Sequence, residues 1–269
     1  MNVPIIRARN MNYQLEVGAR TVDDVLAAER GGADRVELYS SPLEGALTPS
    51  AGLIQAAAAV VTDLELFVMV RPRAGDFLYT QGEFETIRRD IDIALESGAH
   101  GIMCGLLMAD GRLDTVRMKT IIDQCGNIPF TLHRAFDFSR DPLMTLEQAI
   151  DLGCSYVLTM GQESEALFNR ELRQRIHAAA EGRIRIEIAL GADFDTASLA
   201  TVVRDTGARD IHIVNGYRQR ASSMTWTLSG ETESDYLQET VFTIDYLSEP
   251  AVREVREILN QIEEERKRC

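Results

Sequence analysis

Short apolar runs alternating with longer segments of helical period predict an α/β chain, a single (β/α)₈ barrel of TIM type over residues 1–269 with a long irregular segment before its last helix. Three observations carry that prediction. Eight strand candidates start about 21 to 35 residues apart, and each gap holds one crossover helix. The intervening segments end at glycine just ahead of the next strand. No GxGxxG turn follows the first strand, as an open dinucleotide-binding sheet would require.

The elements follow in order. YQLEVG at 13–18 is the first strand, and TVDDVLAAERGG supplies its helix, with Thr21 as N-cap, Asp23 and Asp24 in the first turn and Gly31-Gly32 as the stop. DRVELYS at 34–40, ELFVMVRPR at 65–73 and HGIMCGLLM at 100–108 are the next three strands. IPFTLHR at 128–134, SYVLTMG at 155–161, RIEIALG at 185–191 and DIHIVNG at 210–216 complete the eight. Gly98, Gly153 and Gly207 repeat the glycine stop at the ends of three helices. Residues 217–247 lack clear periodicity and read either as a disordered excursion or as an arm covering the barrel mouth or a neighbouring subunit, the second favoured by Trp226, Phe242 and Tyr246. From about Ser248 a final helix puts Val252, Val255, Ile258, Leu259 and Ile262 on one stripe, with its charged remainder a solvated face.

Charge excludes several functions. With 28 basic and 42 acidic side chains the net charge is −14, and no basic patch opposes it, so neither nucleic acid nor an anionic membrane is an expected partner. No apolar run reaches the ~18 residues of a membrane span and the start lacks a secretory apolar region, so a cytoplasmic location is expected. Cys104, Cys125, Cys154 and Cys269 form no CxxC pair and read as reduced thiols. The two lysines, Lys119 on a helix and Lys267 near the end, are misplaced for a Schiff base at a strand end. Without a glycine-rich phosphate loop, no nucleotide is expected.

In such a barrel the strand carboxyl ends converge on one mouth, so polar residues there are the candidates for function. They are Glu16, Glu37, Arg71, Arg73, His133, Arg134, Thr159, Glu187, His212 and Asn215. Period-two alternation puts Arg71 and Arg73 on one face with Phe67 and Met69, and Glu37 with Tyr39. Glu187, early in its strand, reads as structural, paired to Arg185 or facing the helices. His212 stands between a core histidine and a mouth residue. His100 and His177 read as surface residues. Arg71 and Arg73 are forks suited to carboxylate or phosphate, with Asp76, His133, Arg134, Asp137 and Thr159 around the same opening. His133 is the candidate acid or base, with Glu16 or Glu37 as its orienting partner. A hard divalent ion on Glu16, Glu37 and a histidine is a further option.

RVEL (35–38), EGALTPS (44–50), RPRAGDFLY (71–79), HRAFD (133–137) and LTMGQ (158–162) resemble the successive blocks of the CutC family, the proteins named for copper homeostasis, along residues 13–260. The resemblance implies a TIM-type barrel, a cytoplasmic location and a homodimer or higher homo-oligomer. It also implies copper, by family association only. Members for which copper is discussed resemble LEVC and VELC in the first two strands, where this chain has Gly18 and Tyr39. Copper(I) prefers thiolate and thioether, so the loss of both thiols removes most of the reason for tight binding there. A replacement set would be Cys104, Met103, Met69 and Met160. Ala46 and Ala74 stand where the family tends to glycine, and Met160 where it tends to serine. The expected partner is thus a small anionic molecule or a metal ion. An acid–base or metal-dependent enzyme acting on a phosphorylated or polyhydroxylated metabolite, or a non-catalytic binding module, remain the alternatives.

Overall fold

The computed structural model describes residues 13–162, 170–191, 196–214, 216–224 and 241–268. Eight strands, β1 (Gln14–Ala19), β2 (Arg35–Leu38), β3 (Glu65–Met69), β4 (Gly101–Cys104), β5 (Phe130–Leu132), β6 (Tyr156–Thr159), β7 (Arg185–Leu190) and β8 (Asp210–Ile213), run parallel and close into a barrel. Closure is made by β1, which pairs with β2 on one side and β8 on the other. Around it stand α1 (Val22–Gly31), α2 (Ala51–Ala58), α3 (Gln81–Glu96), α4 (Thr115–Cys125), α5 (Pro142–Leu152), α6 (Arg170–Ala180), α7 (Leu199–Thr206) and α8 (Glu249–Arg268).

The local signals act as the sequence predicts. The Thr21 side chain accepts the Asp24 N–H, and Gly32 ends α1 in the left-handed region at φ 91°. Thr80 and Glu83 form a reciprocal capping box on α3. Both ends of the 217–247 arm are ordered: β9 (Tyr217–Ala221) and β10 (Thr243–Leu247) pair as an antiparallel ribbon. Trp226 and Asn215 lie outside the described residues.

The stripe of α8 buries Val252, Val255, Leu259 and Ile262, but the rest of the helix is not all solvated. Arg256 is buried, donating to the Gly32 and Tyr13 carbonyls and pairing with Asp34, because α8 packs over the open end of α1. His100 and His177, read as surface residues, are half-buried; His100 Nδ1 accepts the Leu66 N–H at 3.0 Å.

Alternation divides the core in two. Leu15, Val17, Val36, Leu38, Ile102, Cys104 and Leu132 face the helices, while Phe67, Met103, Tyr156, Leu158, Met160 and Ala189 fill the barrel interior. A buried ionic layer lies among them. Arg35 pairs with Glu16 and with Glu187 at 2.6 Å, its guanidinium 4.3 Å from both the Phe67 and Tyr156 ring centres. Glu187 therefore points inward to Arg35, and Arg185 pairs with Asp210 instead. A Cβ at position 101 would overlap the Phe67 ring, so Gly101 is what lets that ring fill the interior.

Candidate functional site

Above this layer a cavity of about 760 Å³ opens at the carboxyl ends of the strands. Glu37 and Tyr39 reach it from β2 and the residue after it, Met69 and Arg71 from β3 and its exit, and His133 and Arg134 from the end of β5. Leu158 and Met160 come from β6, Ala189 from β7, His212 from β8, and Tyr217, Arg218, Gln219 and Asp245 from the ribbon.

His212 stands between two carboxylates. Its Nδ1 donates to Glu16 at 2.7 Å and its Nε2 lies 3.3 Å from Glu37. Burial opposes a charge on the ring, but the Glu16 hydrogen bond and the two carboxylates outweigh it and raise its pKa to about 9. Burial raises Glu37 to about 7, with His212 offsetting and Glu16 adding to the rise. Glu16 is also buried, yet Arg35 and His212 hold it below the ordinary carboxylate range. Glu187 shares Arg35 with Glu16, and burial pushes it up to about 8. The carboxylates expected to orient His133 thus partner His212.

His133 is a different kind of group. Its Nδ1 accepts the Ala135 N–H at 3.2 Å, while Nε2 is buried without a partner. Burial, reinforced by Arg71, drops its pKa to about 3. The ring is neutral at physiological pH, and with Nδ1 accepting, Nε2 carries the proton as a donor.

The arginines divide. Arg71 lines the cavity but spends its fork on loop carbonyls, those of Glu44 at 2.9 Å, Gly45 at 2.7 Å and Gly75 at 2.6 Å. Its Nε remains buried without a partner. Gly45 has φ 82°, and a Cβ there would lie 2.9 Å from the fork. Ala46, next to it, has φ 70°, where glycine sits more freely. Arg73 and Asp76 are not brought into the cavity. β3 ends at Met69, Pro72 cannot extend a ladder, and Arg73 turns out to pair with Glu83 at 2.6 Å and Asp76 at 2.9 Å. Arg134 lines the cavity with its Nε held 3.1 Å from Asp137. Asp137 accepts from the Thr159 hydroxyl and from the Met160 and Gln162 N–H groups, so Asp137 and Thr159 brace the wall rather than line it.

Sequence reasoning passed over Arg20, Tyr217, Arg218 and Asp245, which also line the cavity. Arg20 had a signal, standing directly after β1; the ribbon residues had none. Arg20 stacks 3.6 Å above the Tyr217 ring and pairs with Asp245 at 3.3 Å.

Two metal arrangements can be tested. Glu16, Glu37 and His212 each offer a ligand atom within 4.8 Å of the others, a group that could hold a metal ion. Soft copper donors fit poorly. A Cβ at Gly18 would lie 2.9 Å from the Tyr39 ring, so that ring fills the space beside Gly18. Cys104 faces the helices, on the other side of the strand from Met103, and burial raises its thiol pKa far above the ordinary range. The set Cys104, Met103, Met69 and Met160 is therefore not assembled.

Among the described residues no helix is long and apolar enough to cross a membrane. Residues 13–217 match the sequence model of the CutC family. A CutC family protein of Vibrio vulnificus strain YJ016 is 39% identical over 82% of this chain and 87% of its own. The human copper homeostasis protein cutC homolog is 39% identical over 74% of this chain and 72% of its own. A solved CutC structure from Streptococcus agalactiae superposes with a TM-score of 0.71 at 25% identity, covering 75% of this chain and 98% of that one. A thiamine phosphate pyrophosphorylase from Pyrococcus furiosus, at 14% identity and a TM-score of 0.55, shares the fold alone. The blocks of the sequence, the closed barrel and these matches agree: the chain belongs to the CutC family, whose name is tied to copper homeostasis.

Proposed function

We propose that this protein binds a small anionic metabolite in the cavity at the barrel mouth. The observation that carries the reading is a set of cavity-lining residues whose donors are not all spent. His133 Nε2 and Arg71 Nε are buried without partners, and Arg134 commits only its Nε to Asp137. A buried donor without an acceptor costs about 1–3 kcal/mol, a cost that an oxyanion in the cavity removes. Four arginines line the cavity against two carboxylates, Glu37 and Asp245, so a chain of net charge −14 carries a local positive focus here. A cytoplasmic metabolite is the natural ligand for such a protein.

A second reading, acid–base catalysis on the bound anion, is favoured by the His212 and Glu37 contact at the cavity wall. His133 would then be the neutral donor that polarises a carbonyl or steadies an oxyanion, and Glu37 the group that moves a proton.

A thermal-shift screen against a library of phosphorylated, carboxylated and neutral metabolites tests the first reading, because a ligand of the folded state raises its stability. Anions are expected to raise the melting temperature, with the shift reduced in Arg134→Ala and His133→Ala. If only metal ions stabilise the protein and no anion does, the reading is wrong. Product formation from a stabilising anion, lost in Glu37→Gln, separates the enzyme from the binding module.

A further inference from the structure

A second cavity, of about 510 Å³, lies beside the first. Gly45, Arg71, Phe77 and Arg134 line both, so the two spaces share a wall. Their chemistry differs. Where the first holds the unpartnered donors, the second is walled mainly by Leu78, Leu107, Met108, Ala109 and Phe138, and Asp76 is its one acidic residue.

Large apolar side chains are left in water at this second space. Phe138 is 62% exposed, Leu78 44% and Met108 43%. The local backbone explains why they stand there. Phe138 ends the 3₁₀ turn Arg134–Phe138 that Asp137 ties to the end of β6, and Met108 lies in the turn after β4, where its N–H donates to the Arg112 carbonyl. A line of rings joins the two spaces. Phe77 lies 5.1 Å from the His133 ring and 5.5 Å from Phe138, centroid to centroid. Arg134, half-exposed, stands on the shared wall with its terminal nitrogens free of Asp137.

We propose that the ligand of this site has two parts, an anionic head held by His133 and Arg134 and an apolar limb, aromatic or short aliphatic, lying against Phe138, Met108 and Leu78 in the second cavity. This rests on the anion-binding reading above and narrows it to amphipathic acids. Arg134 is what commits the apolar surface to this occupant: it lines both spaces, so a limb covering Phe138 and Met108 lies beside a head paired to its terminal nitrogens. Asp76 in the lining disfavours a second negative charge on the limb.

The test is a calorimetric titration of the full chain at fixed ionic strength with inorganic phosphate, acetate, butyrate, hexanoate, phenylacetate and 3-phenylpropionate. Affinity is expected to rise about threefold to fourfold for each methylene buried. The corresponding neutral amides are expected to bind far more weakly. The double variant Phe138→Ser, Met108→Ser should flatten the series while leaving phosphate and acetate affinity unchanged. Both residues are exposed, so the variant folds, and the wild-type series by itself needs no variant.

A flat wild-type series with phosphate and acetate still bound sinks this inference and leaves the anion-binding reading intact. If no anion binds at all, both fail. If the double variant dissociates an oligomer on sedimentation while the chain-length increment survives, the surface belongs to a second copy of this chain and the inference is overturned.

Discussion

Arg35 is wholly buried, yet it bonds Glu16 and Glu187 and has the Phe67 and Tyr156 rings 4.3 Å from its guanidinium, so its charge is compensated. Arg35→Ala would strand two carboxylates in the barrel interior. A loss of about 3–5 kcal/mol in urea unfolding is expected, and wild-type stability in that variant would contradict the pairing. The neighbouring groups set a pH dependence. His212 is raised from 6.5 to about 9, so the stability it brings is complete below pH 6.5 and lost as pH rises through 9. Glu37 and Glu187, raised from 4.5 to about 7 and about 8, have the same sign, since the fold favours their neutral forms. Glu16, held low, is ionised throughout this window and adds no slope. The melting temperature is therefore expected to fall steadily between pH 6.5 and 9; a flat or rising profile would refute this arrangement of charges.

At the scale of elements, the ribbon of β9 and β10 depends on one residue of α1. Asp24 is buried and accepts from the Arg20 N–H at 3.0 Å, the Tyr217 hydroxyl at 3.1 Å and the Leu247 N–H at 2.8 Å. The single Tyr217 hydroxyl hydrogen is shared between Asp24 and the Gly18 carbonyl, 3.1 Å from each, and its ring carries Arg20, so it ties the ribbon to the exit of β1. Tyr217→Phe keeps the ring and removes the hydroxyl. A loss of about 1–2 kcal/mol is expected, together with faster amide exchange in residues 217–221 and 243–247 than in the barrel strands. Equal exchange rates in variant and wild type would mean that the ribbon is held by something other than Asp24. The carbonyl contacts of Arg71 are a similar staple, joining the loop after β2 to the loop after β3.

At the scale of the whole molecule, barrel closure creates the site. Glu16 and His212 are 196 residues apart in sequence and register partners only because β1 pairs with β8. Closure also assigns each strand side chain to the interior or to the helix layer, and this bears on copper. Among the described residues, Cys104, Cys125 and Cys154 are all buried in the helix-facing core, with burial raising each thiol. A copper(I) competition titration under reducing conditions is expected to find no tight stoichiometric site. A tight site abolished by Cys104→Ser would reverse that conclusion.

The sequence by itself determined the eight strands, the glycine and N-cap punctuation of the helices, and, through period-two alternation, the face that Glu37 shares with Tyr39 and Arg71 with Met69. Those are local properties, fixed by backbone geometry and by the period of each element. The Arg35 layer was within reach of the same parity argument, since Arg35 is two residues before Glu37 on β2. Only the tertiary structure decided which histidine the carboxylates take, that the Arg71 fork serves the loops, and that Arg73 and Asp76 turn away beyond the end of β3. The reason is that alternation is lost where a strand gives way to a turn, and that a hydrogen bond or ion pair is set by distance in space, which closing the barrel makes independent of distance along the chain.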